Sequence, residues 1–295
     1  MRARHESPAM SAPDAAWPLG TVTVLGAHIL DVLGRPVETI PPGQGSVRLR
    51  EIRATAAGTA AGTGVDLAKL GARVLAAGAI GDDLLGVVVV AAMARHGVDT
   101  AGLVRKNEAQ TSATILTGGD LADIAGAAKA SGVLVAVDVL HPGRPQDLER
   151  LAPLLAVTDW FMPNGDQLLA LTGRTEPADA IKDVLALGTA AVAVTCGADG
   201  CLVAWPGAGA PVKLPALEVE VVDTTGCGDG FTAGLLAGLL AGATALDAAW
   251  LGLACGALVA TGLGSDAGIE NLGQVLDFLS GKQPAVAGRI KEHMS

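Results

Sequence analysis

The residues best suited to chemistry stand together in Val222-Asp223-Thr224-Thr225-Gly226-Cys227-Gly228-Asp229-Gly230-Phe231, where a glycine-rich turn leads directly into an apolar helix beginning near Gly228. A helix N-terminus presents unpaired backbone N–H groups and the positive end of its dipole. The amides of Gly226, Cys227 and Gly228 therefore suit an anion such as a phosphoryl group in transfer. Small side chains let a phosphate reach the backbone. A carboxylate one step further, Asp229, is placed to take a proton from an attacking hydroxyl, as phosphoryl transfer requires. The simpler account is that Asp223 or Asp229 caps the helix and the glycines make a turn. Three glycines and two aspartates within eight positions weigh against it.

Other nucleotide-binding patterns fail. There is no GxxxxGK[ST], and Gly262-Leu263-Gly264-Ser265-Asp266-Ala267-Gly268 misses GxGxxG by one residue and opens no strand–helix unit, which disfavours a Rossmann dehydrogenase. A formal net charge of -10 without a basic patch disfavours nucleic acid as a partner. Cys196, Cys201, Cys227 and Cys255 form no CxxC pair, which fits reduced thiols in a cytoplasmic protein better than disulfides or a cysteine metal site. The first 18 residues, Met1 to Pro18, are polar and rich in proline and alanine, and read as a disordered leader rather than a signal peptide. The apolar stretch Phe231–Leu246 is short, glycine-rich and followed by Asp247, so a buried helix explains it better than a membrane span. With no tyrosine and three phenylalanines, a ligand pocket has to be built from aliphatic side chains, backbone and a few polar groups.

The elements that must position the loop follow a βαβ rhythm. Strand-like runs at Thr21–Leu25, Val74–Ala77, Val133–Val137, Trp160–Met162 and Ala191–Thr195 alternate with helical patterns, predicting a mainly parallel sheet covered on both faces. Apolar positions recurring at three and four predict helices over Thr59–Leu70, Asp83–His96, Asp120–Ala130, Gln167–Leu171, Ala178–Leu187, Gly228–Ala241 and Thr244–Ala260. Two segments break the rhythm: Gly34–Ala54, with alternating Val47, Leu49 and Ile52, and Gly102–Leu116, with Thr114, Ile115 and Leu116. They read as a small separate sheet, a lid. No internal repeat or linker divides the chain, so one α/β domain over about residues 19–281, followed by a C-terminal tail over 282–295, is expected.

The loop resembles the second signature of the ribokinase/PfkB carbohydrate kinases, DTxGAGDxFxxG, over Asp223 to Gly234, with Cys227 in the alanine position. The resemblance implies a three-layer α/β/α sandwich with a β-sheet lid, Asp229 as catalytic base and Gly226, Cys227 and Gly228 as the anion hole. It also places Asp223 and Thr225 beside a monovalent cation, potassium. Gly26-Ala27-His28-Ile29-Leu30-Asp31 looks like the family's first strand, whose aspartate, here Asp31, binds substrate hydroxyls. Ala57 to Gly71 is similar to the first signature, GGxxxNxAxxLAxLG, which brings Gly58, Thr59 and position 62 to the sugar, with Gly62 replacing the asparagine. In Gly78 to Gly86, similar to GxxGxDxxG, Asp83 reads as a cap.

On the nucleotide side, Asn164 and Gln167 followed by Leu171-Thr172-Gly173 resemble NxxE…LTG, which arranges the magnesium-linked phosphates of ATP, with Gln167 in place of glutamate. Thr195, Gly197 and Gly200 match TxGxxG beside those phosphates; alone, they read equally as a hairpin turn. Only the 16 residues Thr117–Gly132 separate the lid segment ending at Leu116 from Val133, which leaves room for one helix but not for the central strand and further lid strand that the family carries there. Either a segment near Thr117–Gly118 is omitted or this is a shortened member whose sheet has a gap; omission is favoured, because a missing central strand exposes costly edges. The function expected is ATP-dependent phosphorylation of a hydroxyl on a sugar or sugar-like molecule by a homodimer paired through its lid strands. A nucleoside kinase and a non-catalytic sugar sensor are the rivals.

Overall fold

The computed structural model describes residues 19–37, 48–107, 110–111 and 118–294; the expected leader, Val47 and residues 114–116 lie outside them. The first half carries β1 (Thr21–Leu25), β2 (Ile29–Arg35), β3 (Glu51–Ala57), α1 (Thr59–Lys69), β4 (Arg73–Gly81), α2 (Leu84–Arg95), β5 (Asp99–Lys106) and α3 (Gly118–Ala130). Then follow β6 (Ala136–Val137), α4 (Pro145–Leu155), β7 (Trp160–Phe161), α5 (Gly165–Thr172), α6 (Pro177–Ala186) and β8 (Ala191–Thr195). A 3-10 turn over Gly197–Asp199 leads to β9 (Cys201–Ala204), β10 (Val212–Leu214), α7 (Cys227–Leu240), α8 (Ala245–Val259), α9 (Leu272–Lys282) and α10 (Pro284–His293).

The parallel strands fall into two sheets, of order β1-β4-β5 and β10-β9-β8-β7-β6. β1 pairs parallel with β4 and β6 parallel with β7, while β8, β9 and β10 run antiparallel. Among the described residues β1 and β6 are therefore edges, as expected of a chain with too few residues for a strand between them. The second lid segment is corrected in part: Asp99–Lys106 pairs parallel with β4 in the main sheet. Its alternation is that of a half-covered sheet edge, which sequence pattern cannot tell from a lid strand. The small sheet consists of β2 and β3, antiparallel, with Asp31 opposite Thr55. Asp31 thus stands on this hairpin and not on the first strand of the main sheet.

Side chains alternate across that hairpin. Val32 and Ile52, 67% and 66% exposed, share its outer face, whereas Asp31, Arg53 and buried Thr55 share the other. The 282–295 segment is not a tail. Pro284 opens α10, which buries Val286, Ala287 and Ile290 in the main core.

The helix that carries the loop is held by close contact of α7 with α8. Gly230, Gly234 and Gly238 recur every four residues on one face of α7, and a Cβ at Gly234 or Gly238 would stand 2.6 Å from Leu251 O or 2.7 Å from Ala248 Cα. Bare backbone on that face lets the two helices approach until atoms of both are buried. The apolar run from Phe231 is accordingly an interior helix; no helix among the described residues is long and apolar enough to cross a membrane.

Candidate active site

Gly226 is the N-cap of α7 with φ 80°, a left-handed conformation that glycine adopts without penalty. A Cβ there would lie 2.5 Å from Ser265 Cβ, so the turn is pressed against the 263–268 loop. The Cys227 N–H turns back to Thr224 O at 3.3 Å, while the N–H groups of Gly226 and Gly228 have no backbone acceptor among the described residues. Of the three amides singled out in the sequence, those of Gly226 and Gly228 are the ones left without a backbone acceptor. Burial, with help from Asp223, Asp229 and Asp66, pushes the Cys227 thiol up to about 11, so it adds no charge at neutral pH.

Asp229 follows in the first turn, half-buried. Its carboxyl is raised well above the ordinary range by burial first and then by the charges of Asp138, Asp66 and Asp31. Those three name the surroundings: β2 brings Asp31, α1 brings Asp66, and Asp138 stands at the C-terminal end of β6. Asp31, half-buried, is itself raised, by burial and by Asp223. The first turn of α1 packs against both Asp229 and the segment before β2. Gly58, with φ 88°, packs 2.7 Å from Ala27 O when given a Cβ, and the Ala61 N–H reaches Ala27 O at 3.4 Å, so Thr59 and Gly58 lie against the segment that leads to Asp31. A Cβ on Gly62 would lie 2.8 Å from Asp229 Cγ, so the space that the signature's asparagine would take is occupied by the Asp229 side chain.

Asp223 accepts from Thr225 N–H at 3.1 Å, from the Thr225 hydroxyl at 2.9 Å and from Gly264 N–H at 2.9 Å. Burial pushes its carboxyl up, but these donors outweigh it and hold the group below the ordinary range. The pair Asp223–Thr225 is thus an ionised, oxygen-rich corner joining the 263–268 loop to the α7 turn, which suits a monovalent cation in charge and donor type.

The nucleotide-side residues also meet. Asn164 bridges to Thr195, and the Thr195 N–H donates to Pro163 O at 3.1 Å. Asn164 and Gln167 form a capping box on α5: Asn164 Oδ1 accepts from Gln167 N–H at 2.8 Å, and Gln167 Oε1 accepts from Asn164 N–H at 2.7 Å. The remaining amide group of Gln167 donates to Val139 O at 2.7 Å. The buried Gln167 therefore ties the segment after β6 to the start of α5. Gly197 opens the 3-10 turn and Gly200 closes it between the antiparallel β8 and β9, so TxGxxG forms a hairpin turn. Asp83 caps α2, accepting from Gly86 N–H at 2.7 Å and from Thr111 N–H at 2.8 Å.

Two site carboxylates escaped the sequence reading. Asp138, pushed up to about 7 by burial against a Val139 N–H donor, follows a strand in the place where open α/β sheets bind ligands, and that position was the available signal. Asp66 looked like a helix surface residue between apolar neighbours and gave none.

The pfkB family carbohydrate kinase model matches residues 20–123 and 119–272. The chain belongs to the pfkB family of carbohydrate kinases. The two matched runs of this pfkB chain meet in α3, where the sheet divides. Its alignment with the ribokinase of Haemophilus influenzae runs over 317 positions at 29% identity and covers 98% of that relative and 88% of this chain, about 260 of 295 residues, so about 57 positions have no counterpart here. A 1-phosphofructokinase of Haloferax volcanii is 32% identical over 171 residues, 54% of this chain and about half, 52%, of the relative's length. Among solved structures, Arabidopsis thaliana ribokinase with ribose and ATP superposes with TM-score 0.73 at 23% identity over 90% of this chain and 99% of that one. Fructokinase of Vibrio cholerae O395, bound to fructose, ADP and calcium, gives TM-score 0.74 at 23% identity over 88% and 99%. The pfkB chain therefore has the ribokinase-like α/β/α fold with a small separate sheet.

Proposed function

We propose that this chain transfers the γ-phosphoryl group of ATP to a hydroxyl of a sugar or sugar-like molecule. The observation that carries the reading is the half-buried carboxylate of Asp229 in the first turn of α7, beside the free N–H groups of Gly226 and Gly228 and facing the hairpin that bears Asp31. Asp31, with Gly58 and Thr59, holds acceptor hydroxyls, and Asp229 takes the proton of the attacking one. The two amides and the helix dipole stabilise charge on the transferring group. Asn164, Thr195, Gly197 and Gly200 border the ATP phosphates. Magnesium, when bound, would neutralise charge on those phosphates. Potassium is proposed beside Asp223 and Thr225, where it reinforces the positive end of α7.

An ADP-release assay over pentoses, hexoses and nucleosides tests the reading: release with at least one sugar is expected, whereas saturable sugar binding without ADP release would establish a sensor instead. The nucleoside alternative is supported by a 33% identity over 149 residues to the aminoimidazole riboside kinase of Salmonella typhimurium. Against it, Phe161 and Phe231 are buried in the core, 0% and 2% exposed, and offer no ring to a base.

We further propose a cytoplasmic homodimer whose subunits meet through the outer face of β2 and β3, in keeping with exposed Val32 and Ile52 and with four free thiols. The natural subunit carries an additional segment near 117–118. Support comes from the divided sheet, the positions without counterpart in the ribokinase alignment, and the exposure of Val133 and Leu134, 54% and 41%, beside the β6 edge. Native mass spectrometry of protein from its own source reads both: a dimer of subunits heavier than 29.3 kDa is expected, and a monomer or a 29.3 kDa subunit would remove the corresponding statement.

A further inference from the structure

Asp66 has no part in the chemistry above, yet it is fully buried and neither of its carboxylate oxygens has a hydrogen-bond partner. Burial of a carboxylate without donors is costly, and a residue kept in that state calls for an account. It stands on α1 four residues after Gly62, hence on the same helix face. That face packs on the first turn of α7. A Cβ on Gly62 would lie 2.8 Å from Asp229 Cγ, and one on Gly230 would lie 3.5 Å from Asp66 Oδ2. No side chain at either glycine separates the two carboxylates. Lys69 Nζ sits 3.5 Å from Asp66 Oδ1, an ion pair beyond hydrogen-bond geometry, and donates to Asp266 O at 2.5 Å in the loop that packs on Gly226.

We propose that Asp66, paired with Lys69, is a positioning residue for Asp229, whose negative charge beneath the first turn of α7 strengthens the hold of Asp229 on the proton it takes from the acceptor. The proposal rests on the kinase reading above. Groups facing the pair are few. They are Lys69 on α1, Cys227 and Asp229 on α7, Cys255 on α8, and Asp266, which is held by Arg53 of β3 at 2.9 Å and by His96 after α2 at 3.5 Å. The charges of Asp138 and Asp31 also act on Asp229. Burial lifts Asp66 to about 7 against the pull of Lys69, so above that pH it is ionised and its charge acts on Asp229.

The test compares Asp66→Asn, Asp66→Leu and Asp66→Glu in the full chain. Both neutral replacements are expected to move the acid limb of the kcat–pH profile down by about one unit, while Asp66→Glu keeps it near the wild-type position. The carboxyl 13C resonance of Asp229, assigned by its loss in Asp229→Asn, should move its titration midpoint in the same direction. That readout needs no turnover. It therefore separates the two failures: Asp229→Asn retaining turnover sinks the kinase reading, whereas an Asp229 midpoint unmoved in folded Asp66 variants sinks this one. Loss of fold in both neutral variants also overturns it, because the role would then be structural.

Discussion

Asp229→Asn lowers turnover by about 10²- to 10⁴-fold, the range that a positioned general base supplies, while ATP affinity stays within about threefold. The exchange keeps the shape of the side chain and removes its ability to accept a proton. It also removes one negative charge from a group that includes Asp31, Asp66 and Asp138. Because burial and those charges raise the Asp229 carboxyl, the base is protonated and idle at acid pH and becomes active only as pH rises through its raised value. The wild-type kcat profile should accordingly fall on the acid side at a pH well above the ordinary carboxylate range, and the residual activity of the variant should lose that limb. Steady-state kinetics from pH 5 to 9 with equilibrium ATP binding checks it. Turnover within tenfold of wild type would remove Asp229 from the chemistry, and with it the central inference.

Gly226→Ala is the second large effect. Alanine at φ 80° is strained, and its Cβ would stand 2.5 Å from Ser265 Cβ, so either the α7 N-cap or the 263–268 loop has to move. The loop is tied to Asp223 through Gly264 N–H, so its displacement disturbs the cation corner together with the anion hole. We expect kcat to fall by about 10²- to 10³-fold, the cost of a displaced oxyanion donor. Stability should drop by about 1–3 kcal/mol, the cost of strain and overpacking. Gly228→Ala is the control: its Cβ would meet nothing within 4 Å, so its thermal midpoint should match wild type. Equal kcat and melting temperature for Gly226→Ala and wild type would show that the N-cap geometry does not matter to transfer.

Much of the fold was legible because helix and strand signals are local. The predicted helix Thr59–Leu70 is α1 to within one residue, Ala191–Thr195 is β8, and Gly228–Ala241 overlaps α7 almost throughout. The gap after Leu116 was also legible, since chain length bounds what a segment can form, and the sheet does divide there. The misses share a cause. Asp99–Lys106 joined the main sheet, and the 282–295 segment became a core helix, because strand partners and the burial of a helix face are decided by distant residues.

The sequence by itself offered the chemistry of a carboxylate in the first turn of a glycine-led helix, which follows from residue type and spacing along a few turns of chain. An acceptor side at Asp31 and Gly58–Gly62 was implied by the family resemblance alone. Only the tertiary structure decided what each polar group is free to do. Both ends of the Gln167 amide are engaged, by Asn164 and Val139, and Asp66 lies beneath the first turn of α7 because two glycines let α1 press on that helix. The proton affinity of Asp229 likewise depends on burial and on charges arriving from β2, α1 and β6, segments far apart in sequence whose fields add only once they are folded together.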